Sequence, residues 1–275
     1  MILGVLLGFA ALAVMSSVIG DGETETLDPV TDEGGLNVTG SAQGDLLDGS
    51  PGDDRFFGKA GDDMILGQEG DDGLFGGDDS DSIIGGSGDD FLRGGAGDDL
   101  IIDDEGADTL KGDGGDDFIV ATGAFDQGEL AAMATDEAAL TEAVEPRQVP
   151  VDFNPDADAA GDQIFGGHGD DVIIAGAEDT ITAGNGLDEL ILGGWIEGSG
   201  PVTITDFATD EDTLVYAYDE AGAPPVMTVE TSDNQTGDPE DALLHANGEL
   251  VAIIVAMADD FTLDDVILTG MQAAG

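Results

Sequence analysis

From Gly40 to Val120 the sequence divides into nine consecutive units of nine residues. The clearest are Gly85-Gly86-Ser87-Gly88-Asp89-Asp90-Phe91-Leu92-Arg93 and Gly94-Gly95-Ala96-Gly97-Asp98-Asp99-Leu100-Ile101-Ile102. Position six is aspartate in every unit: Asp45, Asp54, Asp63, Asp72, Asp81, Asp90, Asp99, Asp108 and Asp117. Position eight is always a large apolar residue: Leu47, Phe56, Ile65, Leu74, Ile83, Leu92, Ile101, Leu110 and Ile119. Compositional drift would not hold two such columns in phase over this length. One unit cannot bury its apolar residue alone, so neighbouring units must stack as coils.

Each position has a physical reason. Glycines permit positive φ and close backbone approach, so the first half of a unit can turn tightly and aim carbonyl oxygens inward. The position-six carboxylate adds a hard anionic oxygen beside them. Calcium takes six to eight oxygen ligands in flexible geometry, a set that backbone and carboxylate together supply. The short apolar stretch that follows reads as a strand with position eight facing the core.

These motifs resemble the RTX (repeats-in-toxin, hemolysin-type) calcium-binding nonapeptide repeat, closely over residues 40–120 and less cleanly over 157–192. The resemblance implies an all-β chain whose core is a parallel β-roll, a β-helix solenoid with Ca2+ in its turns. In that family two nonapeptides make one coil and calcium sits between the turns of successive coils. Aspartates eighteen residues apart would then stack. Asp45, Asp63, Asp81, Asp99 and Asp117 would line one edge, and Asp54, Asp72, Asp90 and Asp108 the other, for about seven calcium positions in the first block. The period returns with Asp162 and Asp171, slips by one residue, and continues with Asp179 and Asp188 as further metal ligands. The slip shortens one turn and predicts irregular final coils.

Two units depart from the pattern. Gly76–Ile84 carries Asp79 at position four and Ser80 beside Asp81, and the unit from Asp103 to Lys111 opens on two aspartates in place of glycines. Weaker sites are expected there. Residues 121–160 lose the period, and Glu129 to Val144 reads as a short helix stopped by Pro146. That stretch reads as an insertion that interrupts one roll or links two. Downstream, Val202 to Phe207 and Asp212 to Tyr216 read as strands that resemble the segment closing such rolls, with Asn247-Gly248 as a hairpin turn and Phe261 to Val266 as a helical turn. The predicted organisation is an apolar segment (1–20, a helix), an acidic linker (21–39), the first roll (40–120), the irregular insertion (121–160), a second repeat block (161–194) and a β-rich capping region (195–275).

Composition bounds the partners. The chain has 62 acidic residues against 5 basic ones, a net charge of −57, and no cysteine. Such self-repulsion keeps a chain expanded unless cations neutralise it. Nucleic acid is excluded as a partner because no basic patch faces phosphates. Met1 to Ile19 carries no charged side chain, and the first basic residue is Arg55. This segment reads as a membrane anchor or a cleaved signal, and either implies export to the extracellular space or the cell surface.

Catalytic motifs fail. Neither His168 nor His245 sits in His-Glu-x-x-His, and Gly-x-Ser-x-Gly does not occur, which removes the protease and lipase modules found beside some rolls of this kind. Asp156 opens an EF-hand-like run, but Gly167 stands at its twelfth position. His168 reads as an exposed turn residue. The favoured function is an exported, calcium-dependent structural or surface module with no enzyme activity. The alternatives are a secretion-targeting repeat region of an enzyme or toxin, or a surface adhesin, and a type I secretion apparatus is a candidate partner for export. The variable positions Arg55, Met64, Gly73, Ser82, Phe91 and Leu100 form no ladder of the kind an adhesive face needs.

Overall fold

The structure, a computed structural model, describes residues 34–103, 105–123, 160–232, 240–257 and 260–271. The first run of repeats forms β1 (Asn37–Thr39), β2 (Leu46–Asp48), β3 (Arg55–Ala60), β4 (Met64–Glu69), β5 (Gly73–Asp78), β6 (Ser82–Ser87), β7 (Phe91–Ala96), β8 (Leu100–Asp103), β9 (Thr109–Gly114) and β10 (Phe118–Ala121). The second run forms β11 (Gln163–His168), β12 (Val172–Ala175), β13 (Thr180–Asn185) and β14 (Glu189–Gly193). Then come β15 (Val202–Ile204), β16 (Thr213–Asp219), β17 (Met227–Thr231), β18 (Ala242–Ala246), β19 (Glu249–Ile254) and β20 (Val266–Met271). No α-helix occurs among the described residues. The apolar segment Met1–Ile19 and the stretch from Glu129 to Val144 lie outside them.

Successive units alternate between two sheets. One runs β1-β3-β5-β7-β9-β11-β13-β15-β19-β18-β17, the other β2-β4-β6-β8-β10-β12-β14-β16-β20. Through the first block each strand pairs in parallel with the strand eighteen residues on, as in Phe56↔Leu74 and Ile65↔Ile83. The described residues therefore form an all-β roll of two sheets, parallel through the repeats. Position eight fills the space between them: Phe56, Ile65, Leu74, Ile83, Leu92, Ile101, Leu110 and Ile119 are all 0% exposed. In strands such as β3 and β4 the burial alternates with the strand period of two, so positions seven and nine are more exposed, whereas Leu100, Ile102 and Val120 at those positions are buried.

β11 pairs directly with β9 and β12 with β10, as in Gln163↔Thr109 and Phe118↔Val172. One roll thus runs through both repeat blocks. The one-residue slip is absorbed without loss of pairing. β13 and β14 remain in register with β11 and β12 at a spacing of seventeen. The expected irregularity is confined to a turn, where Gly176 N–H donates to Asp179 Oδ2 at 2.7 Å and Glu178 adopts φ 66°.

The C-terminal strands extend the ladder before ending it. β15 and β16 pair in parallel with β13 and β14, and β20 pairs in parallel with β16. The antiparallel set β17–β18–β19 finishes the other sheet, turning at Asn247 (φ 54°) and Gly248 (φ 88°), the primed geometry that matches strand twist. The helical turn expected over 261–266 is a short 3-10 turn, Leu263–Asp265, capped by Thr262. Trp195, in a 3-10 turn at Gly194–Ile196, is fully buried with its indole N–H donating to the Ala175 carbonyl at 2.9 Å.

Candidate metal centre

The coil period brings the position-six aspartates into two columns. In each, the backbone N–H of one aspartate donates to Oδ1 of the aspartate on the next coil, at 2.6 to 2.9 Å. One column runs Asp45, Asp63, Asp81, Asp99, Asp117, Asp171 and Asp188. The other runs Asp54, Asp72, Asp90, Asp108, Asp162 and Asp179. All thirteen sequence-predicted ligands fall in these columns, and the second block continues both. Asp45, at the rim, is half-buried; the other twelve are 1–3% exposed.

The second oxygen of each carboxylate is the chemically informative one. Oδ2 of Asp63, Asp72, Asp81, Asp90, Asp99, Asp117, Asp171 and Asp188 is buried and has no hydrogen-bond partner. All but Asp188 point to the position-one glycine of their own unit; Ala183 holds that place in the Asp188 unit. A Cβ on Gly58 would collide with Asp63 Oδ2 and the Gly76 carbonyl, and one on Gly67 with Asp72 Oδ2 and the Gly85 carbonyl. Carboxylate and carbonyl oxygens from adjacent coils thus converge on a space that exists because position one lacks a side chain. Hard oxygen donors, anionic and neutral together, fit calcium and offer nothing to a soft metal.

Burial dominates the electrostatics. It pushes the carboxyls of Asp63, Asp90 and Asp188 up to about 6, those of Asp72, Asp81, Asp99 and Asp171 to about 7, and that of Asp117 to about 8. The backbone N–H bonds from the neighbouring coil oppose the rise, and neighbouring carboxylates add to it. Buried carboxylates so placed need a proton or a cation.

Three features were not legible in the sequence. Two further aspartate columns stand at position five: Asp71 and Asp89 donate their N–H to Oδ1 of Asp53 and Asp71, and Asp116 and Asp170 to Oδ1 of Asp98 and Asp116, each one coil earlier. These residues are exposed and tie coil to coil from outside. The doubled aspartate in Asp53-Asp54 and its counterparts is the signal that could have found them. Secondly, positions seven and nine of one sheet do form a short ladder. Phe57 stacks on Phe75 at 4.9 Å between centroids and Phe75 meets Phe91 at 5.6 Å. The Arg55 guanidinium lies 5.1 and 5.2 Å from the first two rings, and Lys111 lies 5.5 and 5.0 Å from Phe91 and Phe165. Thirdly, the carboxyl group of Asp103 turns inward and is fully buried. The other irregular unit is accommodated simply, Asp79 taking the left-handed turn (φ 76°). His168 is exposed at the end of β11 and contacts Asn185 Nδ2 through Nδ1 at 2.9 Å.

A two-sheet parallel roll with aspartates stacked along both edges defines a class of repeat-built protein. A family model for the RTX calcium-binding nonapeptide repeat matches residues 39–74, 48–83, 75–102, 84–119, 93–127 and 156–179. The chain therefore carries RTX calcium-binding repeats over residues 39–127 and 156–179. No curated protein sequence matches it. Among solved structures that match is the extracellular lipase LipA from Serratia marcescens, with 18% identity and a TM-score of 0.21 over 74% of this chain. This chain spans 42% of that lipase's length.

Proposed function

We propose that the chain is an exported calcium-binding module whose roll folds when Ca2+ fills its edges, acting structurally or at a surface and not as an enzyme. The observation that carries this reading is the set of buried, unpartnered Oδ2 atoms along both columns. A stack of buried carboxylates is costly unless each is neutralised, and at neutral pH the chain's own basic residues are too few to do it. Calcium supplies the charge and takes the carbonyls as further ligands. The columns Asp45 to Asp188 and Asp54 to Asp179 would hold the ions between successive coils. Binding would then be folding free energy, because no unfolded chain presents these ligands together.

Export follows from the same chemistry. Extracellular calcium modules bind at about 10⁻⁴–10⁻³ M, so the roll would stay open at cytosolic calcium and close outside. The apolar segment 1–20 would serve as the export signal or membrane anchor, with a type I secretion apparatus as the other route. Among the described residues no helix is long and apolar enough to cross a membrane. The test is circular dichroism with the emission of the single tryptophan, Trp195, as a second probe. At pH 8 in excess chelator the β signal should be weak and the tryptophan emission red; millimolar calcium at the same pH should raise the first and blue-shift the second. A β-rich spectrum and blue emission that persist in chelator would overturn calcium-driven folding.

A further inference from the structure

Position one is glycine in every unit of the first block except the one opening at Asp103. The Asp103 backbone passes through the turn without a left-handed φ, so its side chain, not its conformation, is the departure. That side chain is 0% exposed and enters the space beside Gly85, the position-one glycine one coil earlier. A Cβ on Gly85 would collide with both Asp103 Oδ2 and Asp90 Oδ2. The Gly86 N–H donates to Asp103 Oδ1 at 3.3 Å, and the Asp90 N–H to Asp108 Oδ1 at 2.7 Å. Asp90, Asp103 and Asp108 each offer one carboxylate oxygen, and these atoms lie within 4.8 Å of one another. Asp90, 3% exposed, aims into the group an Oδ2 that accepts from no backbone N–H and faces the Asp103 carboxyl.

We propose that Asp90, Asp103 and Asp108 form a three-carboxylate site that binds hard oxygen-seeking cations more tightly than the other turns of the roll and fills first. The proposal rests on the reading that the roll takes up calcium, and it reverses the expectation that the Asp103 unit is a weak joint. Affinity in oxygen-ligand sites is set by ligand charge count and by rigidity. Here a third carboxylate is added to the ordinary pair from adjacent coils, inside a buried turn whose backbone is held by strands on both sides. Exposed Asp71 and Asp89 add to the negative potential at Asp90. The site should favour trivalent lanthanides over calcium more strongly than its neighbours, because each added carboxylate contributes in proportion to cation charge.

The experiment is calorimetric titration of the full chain with Ca2+, repeated by terbium(III) luminescence, on wild type, Asp103→Gly and Asp103→Asn. Asp103→Gly restores the glycine of the other units, and Asp103→Asn keeps the shape while removing the charge. In wild type one ion should bind at least about tenfold more tightly than the rest. Both variants should bind the same total number of ions with that tight phase gone, and circular dichroism in saturating calcium should report the roll intact. A tight phase that survives in both variants, or wild-type uptake of calcium with no tight phase, would overturn the site while leaving the reading of the roll standing. No calcium uptake by any of the three would overturn both.

Discussion

At the scale of single residues, the roll depends on an oxygen and on an absent side chain. The position-six aspartate serves two coils at once, through Oδ1 to a backbone N–H and through Oδ2 to the metal space. Asp81 has a partner on either side in Asp63 and Asp99, whereas Asp45 begins its column. Asp81→Asn should therefore lower calcium stoichiometry by about two ions and Asp45→Asn by about one, measured by calorimetry; equal losses would contradict sharing between coils. Position-one glycine is needed for room, not for conformation. Gly67→Ala places a methyl against Asp72 Oδ2 and the Gly85 carbonyl and should cost about 1–3 kcal/mol in calcium-loaded thermal unfolding. Gly114→Ala is the control, since a Cβ there meets nothing nearer than the Gly95 carbonyl at 3.9 Å.

At the scale of the strand, each six-residue strand of the repeat blocks shows the core one large side chain. Ile83 on β6 packs between the two sheets with no exposure, and no neighbouring apolar residue of its strand can replace it. Ile83→Ala should destabilise the calcium-loaded roll by about 2–5 kcal/mol, read as a shifted denaturant midpoint. A loss under 1 kcal/mol would mean that metal, not core packing, holds the coil. The outward face contributes differently. Phe57, Phe75 and Phe91 stack across β3, β5 and β7, with Arg55 over two of the rings, and such cross-strand pairs each add a fraction of a kcal/mol. The exposed Arg93–Asp113 ion pair adds little.

At the scale of the whole molecule, protons and calcium compete for the same oxygens. The raised carboxyls of the columns, at about 6 to about 8, hold protons in the fold that the unfolded chain has already released above its ordinary value of 3.8. In the metal-free chain the stabilisation this gives is complete below that ordinary value and is lost as pH rises through 6 to 8. Chelated protein taken from pH 8 to pH 5 should accordingly gain β signal and blue-shift its Trp195 emission. Calcium affinity should run the opposite way, rising over the same window as the protons leave. A metal-free chain that loses β structure on mild acidification would contradict the buried state of these carboxyls. The net charge of −57 makes the cation requirement a property of the molecule as well as of each turn.

The nonapeptide period by itself determined that the units stack as coils and that position eight faces the core; with the resemblance to the RTX repeat it implied the parallel two-sheet roll and the two aspartate columns. It could do so because each depends only on spacing repeated along the chain, and a coil contacts its neighbours at constant separation. Elements that join distant stretches were decided by tertiary structure. β9 and β10 find β11 and β12 across fifty-four residues, a pairing set by the exposed sheet edges that the first block leaves and not by any motif between them. β15, β16 and β20 carry no repeat signature and still extend the ladder, because the same open edges accept any apolar strand of suitable length. The direction of the Asp103 side chain was likewise invisible in its own unit. It follows from the missing side chain of Gly85 on the adjacent coil, a vacancy that exists only once the coils are stacked.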